Sequence, residues 1–108
     1  MCGSLLLHLV DPFGAIRAIR SVCQGRAVVS TGCPEHSATD PRPTIEFVAR
    51  KSARGEYWTY WSMGAAALRN MLLAAGFSEV THENHFTLAS EPGRTPFATP
   101  HVVMTAAV

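Results

Sequence analysis

The chain has little charge, and what it has cancels: nine Lys and Arg stand against eight Asp and Glu in 108 residues, a net charge of +1. Such a balance gives no whole-molecule field to draw nucleic acid or an anionic membrane, so a basic patch would have to be local. Cysteine is scarce. Cys2, Cys23 and Cys33 make an odd count at irregular spacing, which excludes a disulfide framework and fits a reducing, cytoplasmic setting. No apolar run approaches the roughly 18 residues of a membrane helix. The opening run from Leu5 to Val10 is interrupted by His8 and closed by Asp11-Pro12, and it has neither the positive flank nor the small-residue cleavage site of a secretory signal. Glycine is present but scattered, and no G-x-G triplet follows an apolar run, so the glycine-rich turn that cradles a nucleotide cofactor is missing. Hydrophobic residues, by contrast, make up 47% of the chain and charged residues 16%, a composition that folds around a core rather than staying disordered. At this length the ceiling is one domain.

The order of apolar segments predicts an α/β chain. From Ser4 to Val10 they run almost unbroken, as in a strand buried on both faces of a parallel sheet. Asp11 caps and Pro12 opens a following helix, in which Ala15, Ile16, Ile19 and Val22 recur at helical spacing with Arg17, Arg20 and Ser21 outward; Gly25 stops it. Ala27 to Ser30 is a second buried run, giving strand, helix, strand with a right-handed crossover. Pro34, Pro41 and Pro43 mark a loop leaving the carboxyl end of that second strand, where ligands usually sit. Thr44 to Val48 reads as a short strand, and the basic stretch Arg50 to Gly55 leads into Tyr57, Trp58, Tyr60 and Trp61, whose periodicity settles no element. Ser62 is placed to cap a helix beginning near Met63 and running to Ala75, with Leu68, Met71, Leu72 and Ala75 on one face. Gly76 suits a left-handed terminal cap, with Phe77 folded back on Leu72. Val80 to Ala89 alternates, with Val80, Phe86 and Leu88 on one face and Thr81, Glu83 and Thr87 on the other. His101 to Ala107 should return antiparallel to it.

Three stretches carry a more specific likeness. Cys2-Gly3-Ser4-Leu5-Leu6-Leu7-His8-Leu9 with Asp11-Pro12 resembles a "GVLYH" strand and its "P-L" helix start. Tyr60-Trp61-Ser62 through Leu72, Ala75, Gly76 and Phe77 resembles an "aromatic-aromatic, helix, aGF" segment, and Gly93-Arg94-Thr95 with His101-Val102-Val103 resembles a final strand pair. All three are similar to the C-terminal half of class I S-adenosylmethionine-dependent methyltransferases, in the branch that includes the tRNA wobble-uridine carboxymethyltransferases. The resemblance covers nearly the whole chain and implies that residues 1–108 are the C-terminal portion of one methyltransferase domain. It implies a partial Rossmann-like doubly wound sheet, a parallel strand pair plus an antiparallel strand pair, without the glycine-rich cofactor-binding half. It places Gly3 and Leu7 beside S-adenosyl-L-methionine, His8 near the methyl acceptor, and Arg94 toward the substrate, where a guanidinium holds a carboxylate or phosphate. In methyl transfer the protein supplies positioning, exclusion of water and sometimes a base, and His8 is the candidate base; its alternative role is a hydrogen bond to the following loop. The acceptor is a small molecule or a tRNA base. With half of the sheet missing, the chain would be inactive alone, and its first strand would leave an open apolar edge that calls for the missing half or for oligomerisation.

Three rival readings compete. Cys33, His36, His82 and His85 supply four zinc-type ligands in two pairs, but His82 and His85, three apart on a strand, point to opposite faces, so no metal is expected. Arg42, Arg50, Lys51 and Arg54 beside four aromatics suggest an RNA-binding module. Finally, the chain is read as a non-catalytic or partner-binding fragment.

Overall fold

The computed structural model of the chain describes residues 1–93 and 98–108. Asp11 and Pro12 start the first helix as the sequence predicts: α1 (Pro12–Val22) has Pro12 in its first turn, and the Gly14 amide donates to the Asp11 carboxylate over 2.8 Å. Ile16 is fully buried, with Ala15 and Ile19 packed beside it. Val22 departs from the expected face and is exposed. It is the last residue of the helix, where the chain leaves the core.

The segment before α1 differs most from expectation. Residues 4–10 do not form a strand; β1 is only Cys2–Gly3, paired in parallel with Val29 and Ser30, and Leu6–His8 forms a 3-10 turn. The ladder ends where the Ser4 amide donates to the Ser30 carbonyl at 2.9 Å, because Ser4 itself turns left-handed with φ 51°. Leu6 then drops into the core while Leu5 faces out. An unbroken apolar run has no period, so it fits a buried turn as well as a buried strand.

β2 (Arg26–Gly32) runs antiparallel to β6 (Ala98–Ala107) in unbroken register from Arg26 opposite Ala107 to Gly32 opposite His101. β5 (Glu79–Ala89) pairs antiparallel with the other side of β6, giving the order β1-β2-β6-β5. The result is an α/β domain with a mixed sheet and two helices. Val29, Val102, Met104 and Ala106 alternate onto one face and share a single core with Ile16 of α1 and with Leu68 and Leu72 of α2 (Ala65–Ala74). The opposite face carries Ser30, His101 and Val103.

A register shift between Val80 and His82 changes which side chains share a face on β5. Val80 lies opposite Ala106 and packs on the core, whereas Phe86 lies opposite His101 and Leu88 opposite Thr99, on the other face. The expected grouping of Val80 with Phe86 and Leu88 is therefore broken by a β-bulge, whose extra residue inverts the alternation beyond it. His82 and His85 sit opposite Thr105 and Val102, on different faces.

β3 (Ile45–Lys51) and β4 (Tyr57–Met63) form a separate antiparallel hairpin, so the aromatic stretch is a strand. Met63 is buried in the core, and the Trp61 indole donates to the Val10 carbonyl at 3.3 Å, which ties the hairpin over the 3-10 turn. Ser62 belongs to β4 and does not cap α2. The cap position is Gly64, and the Ala65 amide donates instead to the buried Ser37 hydroxyl at 3.4 Å. No helix among the described residues is long and apolar enough to cross a membrane.

Candidate functional site

A cleft of about 600 Å³ opens on the sheet face that the helices leave free. It lies at the carboxyl ends of β1 and β2, the position where open α/β sheets hold ligands. The 3-10 turn contributes Leu7 and His8 and the sheet contributes Ser4, Gly32, Leu88, Thr99 and His101; the hairpin adds Arg50, Trp58 and Thr59 as a third wall. A Cβ at Gly32 would stand 3.1 Å from a Leu7 methyl, so a larger residue there would press Leu7 aside by a few tenths of an ångström.

Two imidazoles are fixed in this cleft. The His8 ring stacks on Trp58, with centroids 4.9 Å apart at 15°, and its Nδ1 lies 2.7 Å from the Trp58 carbonyl oxygen. A carbonyl only accepts, so the neutral ring carries its proton on Nδ1 and donates it there. Thr59 Oγ1 lies 3.2 Å from the same nitrogen. Nε2 is left with its lone pair and makes no hydrogen bond among the described residues. His101 is buried, and its Nδ1 donates to the Thr99 carbonyl at 2.9 Å. Its Nε2 then accepts from the Ser4 hydroxyl at 3.0 Å. The Phe86 ring stacks on the same imidazole at 5.4 Å. Both histidines thus hold one tautomer: His8 is placed to take a proton from a bound group, and His101 polarises the Ser4 hydroxyl.

The sequence-predicted residues are distributed unevenly around this geometry. Leu7 and His8 line the cleft together. Gly3 does not; it lies in the β1 ladder opposite Ser30, and a Cβ there would meet only Met1, at 3.9 Å. Arg94 lies outside the described residues. His8 bonds to the hairpin some fifty residues on, not to the loop that follows it. Sequence reasoning missed Ser4, Thr99 and His101 because the pairing joins residues 97 apart. It noted Arg50 and Trp58 only as part of a basic and aromatic stretch.

No family model and no curated protein matches this chain.

The groups whose titration is shifted lie away from the cleft. The Arg42 hydrogen bonds hold the Asp40 carboxyl at about 2, and the same pairing raises Arg42. Burial pushes the Glu83 carboxyl up, but hydrogen bonds from His85 at 3.0 Å and Arg69 at 2.7 Å, with their charge, together leave it below its ordinary value. Burial raises the Cys33 thiol, with the Glu83 charge adding to it against a Ser37 hydrogen bond, so this cysteine stays protonated and is a poor nucleophile. No group of three or more His, Cys, Asp or Glu converges to hold a metal among the described residues.

Proposed function

We propose that the chain forms the acceptor side of a class I methyltransferase domain, with a partial Rossmann-like sheet, and that the cleft holds a methyl acceptor against His8. One observation carries the reading: a histidine with a fixed tautomer presents its free Nε2 at a cleft on the carboxyl ends of the strands. The sheet order β1-β2-β6-β5, a parallel pair joined to an antiparallel pair, supports it as well. S-adenosylmethionine would supply an electrophilic methyl group to the acceptor. The lining fits this cofactor only in part. Leu7 is there to pack against it, but among the described residues no carboxylate lines the cleft to take ribose hydroxyls, and Gly3 stands outside. The chemistry assigned to this chain is therefore limited to the acceptor. Leu7, Trp58 and Leu88 offer apolar surface to the acceptor, and His8 Nε2 takes the proton that a hydroxyl or amine releases as it becomes a nucleophile.

The test is an NMR titration of the folded chain with S-adenosylhomocysteine. Shifts gathered on Ser4, Leu7, His8 and Gly32, with weak binding because the glycine-rich cradle is missing, are expected. No shift at any of these residues with millimolar ligand would remove the methyltransferase reading.

A second reading, an RNA-binding or partner-binding hairpin, has its own observation. Phe47, Tyr57 and Trp58 are exposed on β3 and β4, and the Lys51 ammonium lies 5.0 Å from the Tyr57 ring centroid. Trp58, however, is already committed to His8.

A further inference from the structure

We infer that the cleft holds its ligand by an oxyanion, a carboxylate or a phosphate monoester, paired with Arg50, and that the ligand's hydroxyl or amine faces Ser4 Oγ and His8 Nε2. The acceptor of the proposed reaction would then be a small apolar molecule with an anionic group at one end and a nucleophile at the other. Naming it the acceptor rests on the methyltransferase reading; the anion site itself does not.

Among the described residues only Ser4, with φ 51°, and Ala49, with φ 47°, are non-glycine residues in the left-handed region. A side chain in that region crowds its own backbone, and strain of this kind persists where the surrounding fold enforces it, commonly at ligand sites. Both positions serve this one cleft. Ser4 lines it directly, and Ala49 immediately precedes Arg50, which lines it from the hairpin.

What Ala49 accomplishes can be read from the hairpin register. Phe47 pairs with Trp61, and continued alternation would set Ala49 opposite Thr59 and turn Arg50 to the other face. Instead Arg50 pairs with Thr59, one residue late, and Lys51 pairs with Tyr57, which restores the original register. One extra residue on β3 at Ala49 is thus compensated by one on β4 at Trp58. Because side chains alternate with period two, this local slip moves Arg50 onto the face of the buried Thr59, toward the cleft. Two successive bulges and a strained alanine thus set the Arg50 guanidinium where it lines the cleft while staying accessible to solvent.

Once there, the guanidinium has no counter-charge among the described residues. Arg42 pairs with Asp40 and Arg69 with Glu83, but Arg50 makes no ion pair among the described residues. Among the described residues no carboxylate lines the cleft, nor the adjoining hollow of about 280 Å³ that shares Leu7, Gly32, Arg50, Thr59 and Thr99. The planar fork of an arginine matches the two oxygens of a carboxylate or phosphate. Leu7, Trp58 and Leu88 supply the apolar surface for the ligand body.

The experiment follows Trp58 fluorescence and cleft NMR signals on titration with 4-hydroxybenzoate, its neutral analogue 4-hydroxybenzamide, and phenyl phosphate. The anionic probes should bind about tenfold or more tightly than the amide, as expected of a hydrogen-bonded charge pair. Arg50→Gln should abolish that preference and Arg50→Lys should recover part of it, with circular dichroism unchanged in both. Equal binding of anion and amide, a preference that survives in R50Q, or no binding of any probe at tens of millimolar would each overturn the site. An anion preference without any response to S-adenosylhomocysteine would leave this site standing and remove the methyl-transfer reading, and the reverse pattern would do the opposite.

Discussion

Thr31 sits at the centre of β2, fully buried on the core face opposite Val102, and its hydroxyl has no hydrogen-bond partner among the described residues. A buried hydroxyl without a partner costs about 1–3 kcal/mol relative to one that is satisfied. Valine has nearly the same shape and no polar atom. Thr31→Val should therefore raise the stability of the chain by about 1 kcal/mol, read as a higher urea midpoint at unchanged slope. An unchanged or lower midpoint would mean that the hydroxyl finds a partner. Ser4 and Ser37 make the contrast, since each hydroxyl there is used, one on His101 and the other between Pro34 and Ala65. Residue-scale features of this sort were the least legible in the sequence. Ser4 reads there as the start of an apolar run, because nothing local signals a left-handed serine, and His101 reads as the start of a strand. Leu7 and His8, to which the likeness to a known motif points, line the cleft, whereas Gly3 stays in the β1 ladder opposite Ser30.

The end of α2 shows what local chemistry makes readable at the scale of an element. Gly76 has φ 112°, its amide donates to the Leu73 carbonyl at 3.1 Å, and the Phe77 amide donates to Leu72 at 3.2 Å, the paired bonds that close a helix on a left-handed residue. The same turn joins the two helices. Arg20 Nε of α1 donates to the Gly76 carbonyl at 3.0 Å, and the Arg20 guanidinium lies 5.7 Å from the Phe77 ring centroid. Gly76→Ala should cost about 1–2 kcal/mol by forcing a Cβ into that conformation, measured as a lower urea midpoint; a neutral substitution would show that the cap is not holding the helix end. Glycine and phenylalanine announced this boundary because the whole motif lies within six residues. The start of the same helix was misplaced because its hydrogen-bond acceptor, Ser37, comes from a loop 28 residues earlier. The predicted first strand failed for a different reason: an unbroken apolar run carries no period with which to choose between strand and turn. On β5 the alternation was real, but a bulge at its start inverted it, and that inversion is what brings Leu88 to the cleft.

At the scale of the molecule, the surface is too large for the mass. The accessible area is 6783 Å², against roughly 5900 Å² for a compact monomer of 11.7 kDa. The radius of gyration is 14.1 Å, against about 13 Å for a chain of this length. Much of the excess is apolar: Phe47 is 65% exposed, and Tyr57 and Trp58 are each 54% exposed, all on the hairpin that closes the cleft. Sheet edges do not offer the easier contact. β1 presents only two residues instead of the long apolar edge expected for residues 4–10, and β5 carries a bulge with Glu79, His82 and Glu83, features that discourage edge pairing. Association should therefore run through the hairpin face, driven by burial of its aromatic rings. Sedimentation velocity should show a weight-average coefficient that rises with concentration for the unaltered chain, and Phe47→Lys combined with Tyr57→Lys should hold it at the monomer value. A chain that stays monomeric throughout the series would show that these rings tolerate water. An association that survives both substitutions would instead place the contact on the sheet, where the cleft itself opens.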